Sequence, residues 1–252
     1  MPPETWAEAV KLRPLCWGLA YRMTGTAQDA DEVAQDAFVR LAERPPADAS
    51  RPIRPWLVAV TLNLSRDRLR QRRRRAYVGP WLPSPVPDAR LAEDRLGDTQ
   101  AASWAFLRAA EALTPTQRAV FLAREVLELS SAETAAALGT SPASVDVMLH
   151  RARKALGDLP AAPSVRDDGV VLAFLACLRL GMPGAAARLL APDAVAINDG
   201  GGHVNAARRP VVGARKIVTF FRRLARLYPP DVRWSATRCN GLLTVLGELP
   251  AS

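Results

Sequence analysis

Residues 130–156, SSAETAAALGTSPASVDVMLHRARKAL, predict two short helices that are joined by a tight turn. Ser130 suits a helix N-cap, and Glu133 three positions later completes a capping box. Gly139 follows the first helix at the position where a left-handed residue ends a helix. Ser141 then caps a second helix whose first residue is a proline. This order of signals is typical of a helix-turn-helix.

The second of these helices separates an apolar stripe from a polar and basic face. The stripe follows helical spacing and comprises Val145, Met148 or Leu149, Ala152 and Leu156. The polar face comprises Ser144, Val147, Arg151 and Lys154, with His150 beside it. Such side chains contact base edges and phosphates in the major groove, so we predict that this helix binds duplex DNA. An ordinary helical hairpin with a solvated basic face is the alternative.

The charge balance favours a polyanionic partner. The 252 residues carry a formal net charge of +9, and the sequence pI is about 10.4. Nucleic acid is the first expectation and an anionic membrane surface the second, while an arginine-rich codon bias would also explain the excess. A chain of this length suggests roughly two domains.

The apolar runs and the cysteines indicate a compartment. No secretory signal stands at the start of the sequence, and the longest apolar run, 170–178, is too short to span a bilayer. The three cysteines are scattered and fit neither a disulfide framework nor a metal site, and only two histidines occur. We therefore expect a cytoplasmic protein with no metal, no cofactor and no membrane partner.

Residues 1–76 are predicted to form a first helical domain. A break at Gly25 separates a helix with an apolar stripe from a second helix, about 27–43, whose outer face is acidic. A third helix covers about 56–75 and ends in RDRLRQRRRR, which contains seven arginines. This context favours a helix that lies along a phosphate backbone. The residues of this helix expected to pack inward are Leu57, Val60, Leu64 and Leu69.

The rest of the chain divides into a linker, a second helical domain and a mixed domain. Residues 77–99 are rich in proline and are expected to be extended. Residues 100–160 predict four helices that end in the helix-turn-helix. Residues 164–252 predict helices at 167–180, 182–190 and 213–228 and strands at 194–197, 232–238 and 242–246. The predicted fold is therefore mainly α, with two helical domains and a C-terminal α+β domain.

These parts stand in the order of a known family, the two-domain extracytoplasmic-function (ECF) sigma factors of bacterial RNA polymerase. The chain resembles the polymerase-docking region in AYRMTGTAQDADEVAQDAFVRL (20–41). It resembles the −10-reading helix in RPWLVAVTLNLSRDRLRQRRRR (54–75) and the −35 reader in LTPTQRAVFLAREVLELSSAETAAALG (113–139). The chain also resembles the SigJ-type group of this family, whose members carry a fused SnoaL-like cone domain. That likeness lies in YVGPWLPSP (77–85) and NDGGGHVNAARRPVVGA (198–214). The resemblance covers nearly the whole chain.

The resemblance implies an initiation factor that binds core RNA polymerase and promoter DNA and is not an enzyme. The acidic helix would contact the clamp helices of the β′ subunit through Asp31, Glu32, Gln35, Asp36 and Phe38. The third helix would meet the −10 strand through Trp56, Asn63, Arg66, Asp67, Arg70, Arg73 and Arg74. The second helical domain would contact the flap of the β subunit. Its DNA contacts in the −35 groove would be Ser141, Ser144, Val147, His150, Arg151 and Lys154.

The resemblance further implies that the fused domain replaces a separate inhibitory protein and sets the activity of the factor. The expected contact joins the linker to a glycine-rich turn, and its residues are Trp81, Leu82, Pro83, Asp199, Gly200, Gly201 and Gly202. The chain departs from the group at Ser84, where an acidic residue is common, and the group usually continues beyond the position of Ser252. We therefore expect an open sheet edge that a homo-oligomer or a domain contact covers, or a loosely folded tail.

Two other functions remain open on the residues alone. A SnoaL-like cyclase or isomerase fused to a DNA-binding module would need an acid–base group in its cone. The candidates for that role are Asp193, Asp199, Asp231 and His203. We expect none of them to be catalytic, because a lone histidine beside glycines is more often structural. A conventional operator-binding regulator would explain the helix-turn-helix but neither the acidic helix nor the arginine-rich helix.

Overall fold

A computed structural model of the chain is mainly helical. It describes residues 3–48, 50–74, 81–94, 96, 102–157, 168–200, 207, 209–227 and 232–248, with only the backbone of Arg73 and Arg74. The α-helices of these residues are α1 Pro3–Lys11, α2 Arg13–Thr24, α3 Ala27–Glu43, α4 Ile53–Arg74, α5 Asp88–Ala92, α6 Trp104–Ala109, α7 Pro115–Phe121, α8 Ser131–Leu138, α9 Pro142–Gly157, α10 Asp168–Arg179, α11 Pro183–Arg188 and α12 Ala214–Ala225. The strands are β1 Val195–Ala196, β2 Val211–Val212, β3 Arg233–Cys239 and β4 Leu242–Glu248.

The chain forms two compact units. The N-terminal unit comprises residues 1–76 and 83–162, and the C-terminal unit comprises residues 77–82 and 163–252. The chain thus passes between the units within the predicted linker. The predicted fold class is confirmed, because the two helical regions are followed by a unit that mixes helices and short strands.

Helices α2 and α3 form the first part of the N-terminal core. Gly25 ends α2 with a left-handed φ of 72°, which glycine adopts without strain. Thr26 then caps α3, since its side chain accepts the N–H of Asp29 at 3.2 Å. The break predicted at Gly25 is therefore confirmed. Buried side chains of the two helices include Leu15, Leu19, Tyr21, Met23, Val33, Ala37 and Leu41.

The predicted helix-turn-helix is formed by α8 and α9. The Oγ of Ser130 accepts the N–H of Glu133 at 3.2 Å, and the Glu133 carboxylate accepts the N–H of Ser130 at 2.8 Å. Gly139 ends α8 with a φ of 64°. The Oγ of Ser141 accepts the N–H of Ser144 at 3.2 Å at the start of α9. Local signals of the sequence therefore set the start of both helices and the end of the first.

Helix α4 is buried on two faces, which the sequence pattern did not predict. Leu57 packs into one apolar cluster with α2 and α3, whereas Val58 and Leu62 join a second cluster with residues of α7, α8 and α9. Leu64 is partly buried and packs against the first of these clusters, as expected, whereas Val60 is partly buried and joins neither cluster. The prediction for Val60 is wrong because a helix with two buried faces has no single apolar stripe.

Two arginines and one carboxylate join α4 and the region around α7. Arg118 is 1 % exposed and donates to the carbonyl oxygen of Met23 at 2.6 Å. Its guanidinium also pairs with Glu111 at 2.7 Å. Arg72 pairs with the same carboxylate at 3.1 Å and donates to the carbonyl oxygen of Thr24 at 2.8 Å. Glu111 therefore holds two guanidinium groups that come from opposite sides of this contact.

The second half of the linker is attached to α2. The hydroxyl of Tyr21 donates to the carbonyl oxygen of Ser84 at 2.6 Å, and the N–H of Ser84 donates to Gly25 at 2.9 Å. Asp94 follows the short helix α5 and forms a buried ion pair with Arg22. Because both charges are about 2 % exposed or less, breaking the pair would leave a charge in the core.

The C-terminal unit has a small core between its three helices. Phe174 of α10, Ala186 of α11 and Ile217 and Val218 of α12 form its buried cluster. The strands pair antiparallel in two sheets, β1 with β2 and β3 with β4, among the residues that the structure describes. Val195 lies opposite Val212, and Arg233 lies opposite Glu248. The strand predicted at 194–197 is thus present but shorter, and the hairpin of β3 and β4 lies where two strands were predicted.

We expect the substitution Gly18→Ala to destabilise the N-terminal unit. A Cβ atom at residue 18 would lie 2.4 Å from the Cβ of Asp94, whose carboxylate is held by Arg22. The clash cannot be relieved without weakening the buried ion pair, so the free energy of unfolding should fall by about 1–3 kcal/mol. Urea denaturation followed by circular dichroism measures the change. The control is Gly157→Ala in α9, where no atom lies within 4 Å; equal losses in both variants would contradict the account.

Candidate nucleic-acid interface

Helix α9 presents the predicted DNA-binding face to solvent. Val145, Leu149 and Ala152 are buried, which places the opposite side of the helix outward. Val147 lies on that side with half of its surface exposed. The exposed predicted residues of this helix and its cap are Ser141, Ser144, Val147, His150, Arg151 and Lys154.

The position of α9 is fixed by the caps of the motif. The hydroxyl of Ser130 and the N–H of the same residue both bind the Glu133 carboxylate, and these bonds lower the pKa of Glu133. A lowered pKa means that this cap contributes to stability above the ordinary pKa of a glutamate and is lost as the pH falls through the lowered value. Ser131 also donates to Asp146 of α9 at 2.6 Å, which links the two helices of the motif.

The predicted −10 face of α4 lies against the end of α8. The amide nitrogen of Asn63 donates to the carbonyl oxygen of Ala137 at 2.8 Å and to that of Ala59 at 2.8 Å. Arg66 donates to the carbonyl oxygen of Leu138 at 3.4 Å. The last carbonyl groups of a helix carry partial negative charge and lack partners within the helix, so an amide and a guanidinium suit them.

The remaining predicted residues of α4 differ in exposure. Trp56 is partly buried against the first apolar cluster. Asp67 and Arg70 are exposed and form an ion pair with each other at 3.4 Å. The side chains of Arg73 and Arg74 lie outside the described residues.

The arginines of α4 and α9 fall into two groups by their partners. Arg68 and Arg72 pair with carboxylates of other helices, as does Arg153 with Glu125 at 2.5 Å. In contrast, neither Arg66 nor Arg151 forms an ion pair with any residue that the structure describes. Burial, and then the positive charge of Arg70, lower the pKa of Arg66.

A cleft of about 700 Å³ lies between α4 and the helix-turn-helix. Both groups of predicted DNA-binding residues contribute to its walls. Arg66 and Arg70 come from α4, whereas Ser144, Val147 and Arg151 come from α9. The cleft therefore brings together residues that the sequence assigned to two separate promoter elements.

The acidic face of α3 is partly neutralised by two arginines. Arg90 of α5 pairs with Asp31 at 2.6 Å, and its guanidinium lies 4.0 Å from the ring centre of Trp17. Arg68 pairs with Glu32 at 2.7 Å and reaches Asp36 at 3.9 Å. Among the other predicted polymerase contacts, Gln35 is exposed and Phe38 is partly buried against Trp6.

The first residues of the described linker contact the predicted turn within the C-terminal unit. The backbone N–H of Leu82 donates to Oδ2 of Asp199 at 2.7 Å. Trp81 is partly buried in this unit, whereas Pro83 is buried in the N-terminal unit. Gly200 is partly buried, and Gly201 and Gly202 lie outside the described residues.

Sequence reasoning did not identify several charged residues that organise these surfaces. Arg68, Arg72 and Arg90 form ion pairs with Glu32, Glu111 and Asp31, in that order. Asp94 pairs with Arg22 in the core. The arginine-rich run had been assigned to phosphates as a whole. No local signal in the sequence distinguishes Arg68 and Arg72 from the rest of the run, because their carboxylate partners lie 32 or more positions away, as Asp36 does from Arg68.

Other chemistries find little support in the described part of the chain. Its helices include none that is long and apolar enough to cross a membrane. No group of three histidine, cysteine or acidic residues there is arranged to hold a metal ion. Among the candidate acid–base groups, Asp193 is exposed, Asp199 accepts the Leu82 N–H, and Asp231 and His203 lie outside the described residues.

Comparisons with known proteins identify both helical regions. Residues 9–75 match the family model for sigma-70 region 2, and residues 103–156 match that for sigma-70 region 4. The ECF RNA polymerase sigma factor SigJ of Mycobacterium tuberculosis (strain ATCC 25618 / H37Rv) is 35% identical over 97% of this chain and 80% of its own. SigL of Mycobacterium tuberculosis (strain ATCC 35801 / TMC 107 / Erdman) is 33% identical over 60% of this chain and 89% of its own. The crystal structure of Mycobacterium tuberculosis SigJ has a TM-score of 0.69 and 32% identity, and the match covers 98% of this chain and 86% of that chain.

Proposed function

Because the chain belongs to the ECF sigma factors, which bind core RNA polymerase and direct promoter-specific transcription initiation, we propose how its residues divide that work. The function itself follows from the family. An enzymatic role and a conventional operator-binding role are not favoured by the comparisons. We place the activity in the cytoplasm, where the polymerase acts.

Helix α9 reads the −35 element in this proposal. The observation that carries it is the exposed face formed by Val147, Ser144 and Arg151. This face offers an apolar side chain, a hydroxyl and a guanidinium that has no ion pair among the described residues. These are groups that meet a thymine methyl, a base edge and a guanine in the major groove. His150, Lys154 and Ser141 would flank them and contact phosphates.

Helix α4 reads the −10 element. Its residues Asn63, Arg66, Asp67 and Arg70 lie along one side of the helix and offer polar groups to a separated strand. We assign Arg73 and Arg74, which belong to the same basic run of the sequence, to phosphate contacts. Trp56 is packed against the core, so we assign it to the support of this surface rather than to stacking on a base.

The polymerase would meet α3 and the second helical region. The carboxylates of Asp31, Glu32 and Asp36 suit a basic coiled coil such as the β′ clamp helices, with Gln35 and Phe38 beside them. Arg68 and Arg90 now occupy these carboxylates, so docking would exchange internal ion pairs for intermolecular ones. We assign the contact with the β flap to the second helical region.

The two DNA-reading elements, helix α4 and the helix-turn-helix of α8 and α9, must separate before both promoter elements are bound. We call them the two readers. The names −10 and −35 place the elements about 25 base pairs apart, which is about 85 Å of duplex. In the free chain, the side chain of Asn63 in α4 donates a hydrogen bond to the carbonyl oxygen of Ala137 in α8, the helix that precedes α9. We therefore propose that the packed arrangement is the resting state and that promoter binding requires α4 to leave α8.

The C-terminal unit would regulate this opening through the linker. Leu82 is held by Asp199 in the C-terminal unit, while Ser84 two residues later is held by Tyr21 in the N-terminal unit. A short, fixed segment of this kind limits how far region 2 and region 4 can move apart. We propose that this unit is SnoaL-like and regulatory, and that a homo-oligomer forms through the edges of its β3–β4 hairpin.

The −35 assignment is tested by two arginine substitutions on one helix. We expect Arg151→Gln to reduce run-off transcription by core polymerase about tenfold at a promoter selected from a genomic library, because a lost guanine contact costs about 1–3 kcal/mol. Arg153→Gln is the matched control, since Arg153 pairs with Glu125 away from the cleft. Full activity of the Arg151→Gln protein, or equal losses in both proteins, would refute the assignment.

The regulatory role of the linker contact is tested at Asp199. We expect Asp199→Ala to change promoter output at constant protein level, because it removes the acceptor of the Leu82 N–H. Asp193→Ala is the control, since that carboxylate is exposed in the same region of the unit. Run-off transcription with equal amounts of folded protein measures the effect. Identical output from wild-type and Asp199→Ala proteins would count against a regulatory contact.

A further inference from the structure

We propose that the cleft between α4 and the helix-turn-helix binds a polyphosphate chain, either free or as the triphosphate of a nucleotide. The cleft is a site of the packed resting state, distinct from the extended arrangement in which the same residues would read a promoter. Its walls come from both readers, so it exists only while they are in contact. The binding site rests on this geometry, whereas its effect on transcription rests on the proposed function.

Two of the three arginines that line the cleft have no carboxylate partner. Arg66 and Arg151 form no ion pair among the residues described, whereas Arg70 pairs with Asp67 of its own helix at 3.4 Å. Other arginines of the same two helices, Arg68 and Arg153, pair with Glu32 and Glu125 away from the cleft. The excess of positive charge in the cleft indicates a site for an anion.

Arg66 is the strongest single indication. Its Nε atom is buried and has no hydrogen-bond partner, while its Nη1 makes only a 3.4 Å bond to the carbonyl oxygen of Leu138. A buried donor without a partner costs free energy, and a charged one costs more. Arg66 also lines the cleft, so phosphate oxygens there would pair with its guanidinium and would offset the repulsion between Arg66 and Arg70.

The other wall supplies donors of the right kind. The hydroxyl groups of Thr116, Thr140 and Ser144 line the cleft, and so does Ala143 in the first turn of α9. The first N–H groups of a helix as long as α9 attract anions. Nothing lies within 4 Å of a Cβ built on Gly139, so the turn leaves the approach open.

The size and the charge of the cleft select the ligand class. Its volume of about 700 Å³ is within the usual range of small-molecule sites, about 300–1,000 Å³. Arg66 and Arg70 stand on one wall and Arg151 on the other, so one small anion would meet only part of the site. A chain of three phosphates carries enough charge for three guanidinium groups and can contact both walls. By joining the walls, it would stabilise the packed state.

Binding is measured by isothermal titration calorimetry on the full chain, without DNA or polymerase. Sodium tripolyphosphate and ATP are the two probes, at one ionic strength and without magnesium. We expect saturable binding of one equivalent and a higher Tm in its presence. Arg66→Gln and Arg151→Gln should each weaken the affinity about tenfold, which corresponds to the loss of one charged hydrogen bond. Arg153→Gln, which lies outside the cleft, should bind normally.

Each outcome decides the proposal. Equal affinities for the two probes identify the phosphate chain as the ligand, and a tighter ATP complex identifies a nucleotide; both uphold it. Absence of saturable binding overturns it, as does an equal loss in the Arg153→Gln protein, which would indicate a general charge effect. Binding of a short oligothymidylate in place of tripolyphosphate would overturn it in favour of a nucleic-acid strand. Because no transcription is measured, these failures are distinct from a failure of the promoter-reading assignments.

Discussion

The burial of α4 on two faces is the constraint on which the N-terminal unit depends. One face completes the core of α2 and α3 through Leu57, and the other completes the core of the helix-turn-helix region through Val58 and Leu62. Helix α4 is also a reader of promoter DNA in the proposed mechanism. A single helix therefore serves as structural core and as recognition element, and these two uses compete wherever they need the same surface.

That competition explains the polar contacts around the helix. Asn63 and Arg66 bind carbonyl groups at the end of α8, so they satisfy a helix terminus while the chain is free. Nearer the C-terminal end of α4, Arg72 and Arg118 of α7 both pair with Glu111. Core and polar contacts of this kind form in the absence of DNA, and the promoter and the polymerase must supply the free energy to replace them. In the proposed mechanism, the linker controls how readily they do so.

Parts of this arrangement are predictable from sequence, and the reasons differ. The helix-turn-helix follows from caps three residues apart, such as Ser130 with Glu133, because such signals are local. The second buried face of α4 was missed because its partners lie in another region and leave no periodic trace. Buried ion pairs such as Arg22 with Asp94 were missed for the same reason, since 72 positions separate them. The proximity of Leu82 and Asp199 was expected only from the family resemblance, since no pattern links residues 117 positions apart.

The separation of the two readers is the central claim, and a distance measurement tests it most directly. Fluorophores attached to Glu43→Cys and Gly157→Cys would report on α3 and α9, both at exposed positions, in a Cys177→Ser background because the other two native cysteines are buried. We expect energy transfer to be high in the free chain and low in the complex with core polymerase and promoter DNA. The expected increase in distance is on the order of tens of ångströms, given the spacing of the two elements. An unchanged distance in an active promoter complex would contradict the account.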